Sequence, residues 1–294
     1  MISDPTLLFR AQRNAYTLFG YDAVIPAFNT TLEAEACGCS TSWEDNTPKV
    51  ANHPLLEGLS IKDLETIPIE TKGQLPTILE TAKRLSMVLG REVALFSVIT
   101  GPLTLAQHLK GPTFIADVKE HPQKTTELIG GIARLLLRLC RTCCELGTHV
   151  IIAEEILGKL QPDSSKLIAP FLQTSSNIAK FYDVATVLLA KGCSTGHVEP
   201  LCRLETDAVV ISGQIDFEYF RSCAMKYNRC YGIALPSSAF LGTLVEAKEA
   251  IESSLKLTQK RGSFICTEAE VPYGASVDNM HEIMKALSRW MKPN

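Results

Sequence analysis

The chain alternates between short, nearly unbroken apolar runs and longer stretches whose apolar residues recur every three or four positions. The short runs are "DAVIPAF" (22–28), "VALFSVIT" (93–100), "THVIIAEE" (148–155), "VATVLLA" (184–190), "DAVVIS" (207–212), "CYGIAL" (230–235) and "SFICTEA" (263–269). Continuous, β-branched runs of this length are the pattern of parallel strands covered on both faces. Between them, Ile78, Leu79, Ala82, Leu85 and Leu89 predict a helix over 76–89, and Leu128, Ile132, Leu135, Leu136 and Leu139 predict one over about 123–146. "TLVEAKEAIESSL" opens with Thr243 and Glu246 at capping-box spacing. Met280, Ile283, Met284, Leu287 and Met291 fall at helical spacing over about 277–291, so these methionines read as core.

Strands separated by helices build βα units and a parallel sheet. The fold class is therefore α/β, and seven such strands fit a TIM-barrel-like (β/α)8 architecture lacking one strand better than a doubly wound sheet. No internal repeat, linker or low-complexity segment divides the chain, so residues 1–294 are expected to form a single barrel domain, with a loop-rich excursion at about 29–75. No Gly-x-Gly-x-x-Gly follows the first strand and no P-loop pattern occurs, so neither nucleotide-binding motif is supported.

Composition narrows the partners. With 46% hydrophobic and 21% charged residues, the chain reads as a soluble globular protein. Its net charge of −3 and scattered Lys and Arg offer no basic face, which argues against nucleic acid. No apolar window is long enough to cross a bilayer, since "LIGGIARLLLRLC" (128–140) is interrupted by Arg134 and Arg138. The N-terminus lacks the order of a secretory signal, so a cytoplasmic location is the default. Ten cysteines in such a chain are no disulfide framework; Cys140, Cys143 and Cys144 lie in a helical pattern where thiols serve as small core residues.

In a barrel, chemistry sits at the C-terminal ends of the strands. Of Glu154 and Glu155, the period-two rule turns one toward the barrel mouth, as a catalytic candidate or as a partner of loop backbone. Asp216 and Glu268 receive the same argument. Lys191 is either a cation that receives an anionic cofactor or substrate tail, or a strand-end lysine reaching solvent. "LLAKGCSTGH" (188–197) adds two soft metal ligands, Cys193 and His197, just after a strand.

The order of segments resembles the uroporphyrinogen decarboxylase superfamily, and within it the methylcobalamin:coenzyme M methyltransferases of corrinoid-dependent, methanogenesis-like methyl transfer. The resemblance is carried by "FGYDAVIPAFNTTLEAEACGCSTSW" (19–43), "GPLTLAQHLKG" (101–111), "ELGTHVIIAEE" (145–155) and "EVPYGASVDNMHEIMKA" (270–286). It implies a barrel whose first strand and helices precede the segment at Asp22. "SDPTLLF", a partner subunit in an oligomer, or an unusual loop would then have to cover the seam. Decarboxylases carry an arginine-bearing N-terminal loop for the carboxylates of the porphyrinogen. Here Arg10 and Arg13 fall in a predicted helix and the Met-Arg-Gln-Ala-Gly-Arg run is absent, which argues against that activity.

In the methyltransferase branch, a His-x-Cys-Gly motif and a distant Cys bind Zn2+, which holds a thiol substrate as thiolate. Matched residue by residue, that histidine falls on Lys191, the first cysteine on Cys193, the glycine on Ser194 and the late cysteine on Ala269. One ligand of three remains. A substitute set of Cys193, His197, Glu199 and Cys266 is chemically acceptable for Zn2+. The competing reading turns Cys266 into the strand core and runs His197 and Glu199 into the next helix. The resemblance thus implies a methyltransferase-like enzyme working with a corrinoid protein and a small acceptor. The corrinoid would be carried by the partner, since no Asp-x-His-x-x-Gly motif occurs. The alternative is a non-catalytic barrel subunit that keeps the fold for binding.

Overall fold

The computed structural model describes residues 3–44, 47–259 and 261–291. Seven parallel strands form one curled sheet: β1 (Ala23–Val24), β4 (Ala94–Thr100), β5 (His149–Glu154), β6 (Thr186–Ser194), β7 (Ala208–Gln214), β8 (Cys230–Leu235) and β9 (Ser263–Thr267), neighbours in that order. The remaining two, β2 (Thr41–Glu44) and β3 (Thr47–Val50), form a separate antiparallel hairpin. The fold is α/β and TIM-barrel-like, one strand short of a closed barrel.

Alternation along the strands sorts side chains into two layers. Val150, Ile152, Leu188, Ala190, Val209, Ile211 and Ile233 pack outward with helix residues such as Leu103, Ile132, Leu136 and Phe171. Val187, Leu189, Ala208 and Val210 fill the interior, flanked by Phe28, Phe96, Ile151, Ala234, Phe264 and Cys266. This two-faced burial is why the strands read as continuous apolar runs. The helices lie where the apolar stripes put them: Leu75–Leu89, Pro122–Glu145, Leu244–Leu257 and Val277–Met291. Thr243 and Glu246 close the capping box.

Three elements depart from the sequence reading. β1 is two residues long, not seven, because Pro26 has no N–H to give a ladder and the chain then turns Phe28 into the barrel interior. The segment 29–75 holds structure of its own: a helix at Leu32–Ala36, the β2–β3 hairpin, and a helix at Ile61–Thr66 that Ser60 and Asp63 cap reciprocally. In the last helix Met280 is buried and Met284 half-buried, but Met291 is exposed, so the core stripe ends a turn early.

No strand pairs β1 with β9 among the described residues. The helix layer, however, runs across this seam. The helix Pro5–Phe19 begins at "SDPTLLF", packs on the Leu75–Leu89 helix, and ends with Phe19 against the ring of His281, with centroids 5.1 Å apart. Phe19 and Tyr21 join a cluster of Leu235, Phe240, Ile251, Met280 and Ile283 from the far side. Arg10 and Arg13 are exposed on that same helix. No described helix is long and apolar enough to cross a membrane.

Phe19→Ala removes the aromatic that ties the first helix to the last. It is expected to lower stability by about 1–3 kcal/mol, read as a fall in the urea midpoint at unchanged slope.

Candidate active site at the mouth of the barrel

β6 carries the decisive local feature. Its register against β7 runs Ala190↔Ile211 and then Cys193↔Gly213, so β6 spends three residues where β7 spends two. The extra residue is a β-bulge, and such insertions re-aim the side chains beyond them. Gly192 takes φ +67°, which side-chain-bearing residues rarely adopt, and its carbonyl lies where a side chain at Gly158 would stand, 1.9 Å from an added Cβ.

Up to Lys191 the alternation is intact. Val187 and Leu189 face the interior, and Lys191 continues that row to the mouth. Its ammonium donates to Glu155 Oε1 at 2.8 Å and sits 5.4 Å from the ring centre of Phe28. The pair is mostly covered, with side-chain exposures of 20% for Lys191 and 31% for Glu155. Past the bulge the parity is reversed. Cys193 packs with Leu188 and Ala190 in the outer layer, and its thiol donates to the Lys191 carbonyl. Burial pushes that thiol up to about 12, so it stays protonated.

The neighbouring glutamates divide by the same parity. Glu154 points outward and is fully buried. It accepts from Leu103 N at 3.0 Å, Thr104 N at 2.9 Å and the Thr104 hydroxyl at 2.8 Å, capping the helix Pro102–Lys110 from the adjacent strand. Burial pushes its carboxyl up to about 7, against those hydrogen bonds. Glu155 turns to the mouth, and its backbone N–H donates to the same Thr104 hydroxyl.

Two further residues of the site escaped the sequence reading. Glu33, in the helix Leu32–Ala36, lies fully buried against the end of β4, accepting from Thr100 N at 3.0 Å. The Thr100 hydroxyl contacts both the Thr30 carbonyl, at 2.9 Å, and a Glu33 oxygen. One hydroxyl proton cannot serve two acceptors, so this arrangement is complete when Glu33 carries a proton, in line with the burial that raises its carboxyl. The only hint in the sequence was that two acids, Glu33 and Glu35, interrupt the otherwise apolar "LEAEA". His108 is the second: burial holds its imidazole below the usual range although Glu155 pulls the other way, and its Nε2 has no hydrogen-bond partner.

The other candidates lie apart from this pair. His197 is buried with both ring nitrogens engaged, Nδ1 at 3.0 Å from Ser194 Oγ and Nε2 at 3.1 Å from the Leu160 carbonyl. Glu199 is held by Arg203, Lys226 and the Tyr227 hydroxyl, which keep its carboxyl down near 2. Asp216 caps the helix Phe217–Lys226, accepting from Tyr219 N. Cys266 faces the interior from β9, its thiol toward the Ile233 carbonyl. Cys193, His197, Glu199 and Cys266 are thus dispersed over the outer core, a helix face and the far strand. Among the described residues no group of three His, Cys, Asp or Glu could hold a metal. The residues present do not fit the zinc ion that the resemblance implies.

A family model described as uroporphyrinogen decarboxylase (URO-D) matches residues 1–290. The chain belongs to the uroporphyrinogen decarboxylase family. Among curated members, it is 24% identical over 224 residues to the methylcobamide:CoM methyltransferase MtbA of Methanosarcina mazei, covering 74% of this chain and 65% of that protein. The counterpart in Methanosarcina acetivorans is 23% identical over 211 residues, covering 69% and 61%. The chain therefore spans somewhat under two thirds of the length of these relatives. Among solved structures, a methyltransferase from Methanosarcina mazei superposes with a TM-score of 0.82 at 17% identity, over 99% of this chain and 87% of that one. A B12-independent methionine synthase from Shewanella sp. W3-18-1 follows at 0.59 and 12% identity, over 96% and 85%. At these identities the two structures show the family's barrel fold alone.

Two outcomes follow from the site's geometry. Gly158→Ala drives a Cβ into the Gly192 carbonyl and is expected to cost about 1–3 kcal/mol by chemical denaturation. Glu154 holds its proton in the fold up to about 7, against the ordinary glutamate value of 4.5. Folded protein therefore binds more protons than unfolded protein across that window, and stability falls as pH rises through it. Urea midpoints of the wild type and Glu154→Gln, compared between those two pH values, should show this extra slope in the wild type only.

Proposed function

We propose that this chain is a methyltransferase that moves a methyl group between a cobamide, presented by a separate corrinoid protein, and a small acceptor lodged at the barrel mouth. The observation that carries the reading is the covered ion pair of Glu155 and Lys191 against Phe28, at the strand ends where barrels of this kind do their chemistry. The names of the curated relatives supply the reaction class. Glu155 and Lys191 are the groups proposed to touch the acceptor. Glu154, Glu33 and Thr104 position them by fixing the ends of β4 and β5. The cobamide enters as a substrate held by its carrier.

Zinc has no step in this proposal. The resemblance matches Lys191 to the branch's histidine and Ala269 to its late cysteine, and Cys193 faces away from the mouth. The same loss favours a second reading, a barrel that binds a corrinoid protein or an intact sister subunit without catalysis. Asp216 caps a helix in either case.

An anaerobic assay with methylcobalamin and a panel of small thiols and other nucleophiles, following loss of the methyl–cobalt absorbance, separates the two. Turnover is expected in protein stripped of zinc, with kcat/KM lowered at least about tenfold by Lys191→Met and changed less than about threefold by Cys193→Ala. Turnover that requires added zinc and disappears in Cys193→Ala would contradict the proposal. Absence of turnover together with tight corrinoid-protein binding would leave the non-catalytic subunit.

A further inference from the structure

Glu155 and Lys191 form a neutral pair with bonding capacity left over. Lys191 has three donors and uses one on Glu155 Oε1, while Glu155 Oε2 accepts no hydrogen bond among the described residues. Neither partner is fully covered, so both are open to a ligand. The other carboxyls nearby are committed to the wall, Glu33 accepting from Thr100 and Glu154 from Leu103 and Thr104. Burial holds the His108 imidazole below its usual range, so it adds no cation beside Glu155 at neutral pH. Below the pair the interior turns apolar. Val187 and Leu189 occupy the row that Lys191 continues, and Phe28, Ile151, Ala234 and Phe264 around them are only partly buried.

Charge decides what such a site accepts. A simple anion drawn to Lys191 meets the Glu155 carboxylate, and a simple cation drawn to Glu155 meets the Lys191 ammonium. A zwitterion meets neither penalty. Its carboxylate beside Lys191 and its ammonium beside Glu155 complete a ring of four alternating charges, with opposite charges as neighbours and like charges farther apart across the diagonal. The existing ion pair stays intact, since two Lys191 donors and Glu155 Oε2 supply the new contacts. In an α-amino acid both charged groups hang from one carbon, a spacing suited to a pair whose own charged atoms are 2.8 Å apart. The side chain on that carbon then meets the apolar wall, where an apolar group gains by leaving water. We propose that the barrel mouth binds a zwitterionic α-amino acid with an apolar side chain, its carboxylate on Lys191, its ammonium on Glu155 and its side chain over Phe28. The inference rests on the methyl-transfer reading only in making that amino acid the acceptor. The bulge at Gly192 sets the charge pattern, since it leaves Lys191 in the inward row and turns Cys193 out of the mouth.

The test measures binding alone, with no methyl donor present. Protein near neutral pH is titrated calorimetrically with L-alanine, L-norvaline and L-leucine. The same titrations are run with leucinamide, N-acetyl-leucine, isocaproate and isoamylamine, each of which lacks one of the two charges. The best amino acid should bind at least about tenfold more tightly than any single-charge analogue, as the loss of a charged hydrogen bond produces. Lys191→Met and Glu155→Gln should each weaken it by at least about that factor. Lys191→Arg and Glu155→Asp keep both charges and should retain part of the affinity, and a urea midpoint for each variant checks that it folds. No binding of any of these amino acids, an analogue that binds as tightly, or an affinity unmoved in both charge-removing variants would overturn the inference. Methylcobalamin turnover with an acceptor that is not a zwitterion would then show that the broader reading survives. Amino-acid binding through both charges, without methyl transfer to any acceptor, would support the binding inference and remove that reading.

Discussion

The geometry of the mouth depends on a single count, the one residue by which β6 exceeds β7 between Ala190 and Cys193. In a parallel sheet, parity decides everything about a side chain's surroundings, because successive residues face opposite layers. Before the extra residue, Val187, Leu189 and Lys191 line the interior. After it, Cys193 belongs with Leu188 and Ala190. Without the bulge, the thiol would stand above Lys191 at the mouth. With it, the mouth receives an ammonium and the outer core receives a thiol that burial keeps protonated. Close backbone approach at Gly158 and the left-handed turn at Gly192 are what make the extra residue tolerable.

Parity also explains why two adjacent glutamates behave as different chemical species. Glu154 enters the outer layer, where a helix N-terminus and a hydroxyl meet it, and desolvation still raises its carboxyl. Glu155 enters the mouth, where Lys191 meets it. Thr104 couples the two, since its hydroxyl donates to the Glu154 carboxylate and accepts from the Glu155 N–H. A change at the helix end is thereby transmitted to the strand end by two hydrogen bonds of 2.8 Å, the first buried and the second partly so, in surroundings where such bonds are stronger than in water.

The barrel was legible because its signal is long-range and redundant: seven apolar runs, each flanked by helical stripes, and a capping box at Thr243 that forms as spaced. The choice between Glu154 and Glu155 was half legible, since period two says that only one faces inward but not which. The bulge was illegible. "AKGCS" reads as a continuation of a strand into a loop, and the register shift belongs to the pairing with β7, which no local pattern encodes. His197 and Glu199 were drawn into a metal set by spacing alone. Spacing could not show that Leu160 on another segment occupies one imidazole nitrogen, or that Arg203, Lys226 and Tyr227 occupy the carboxylate. Glu33 was missed because a buried acid in a short apolar helix looks like a solvated face until Thr100 is placed beside it.

The open seam and the chemistry of the mouth are connected by where their rigidity comes from. A metal site drawing ligands from the end of β6 and from the segment after β9 requires those two elements to hold a fixed separation. Yet among the described residues β9 is an edge strand, half-buried along its whole length and unpaired on one side, and its approach to β1 is set by packing through Phe19, Tyr21 and the last helix. Side-chain packing across a seam fixes distance less sharply than a hydrogen-bonded ladder does. Glu155 and Lys191, by contrast, extend two adjacent strands in the middle of the sheet, where the register Glu154↔Ala190 already sets one beside the other. A two-residue device on neighbouring strands needs only their mutual register and is insensitive to closure of the barrel. With no strand between β1 and β9 among the described residues, that kind of site is held more readily than one that spans the gap.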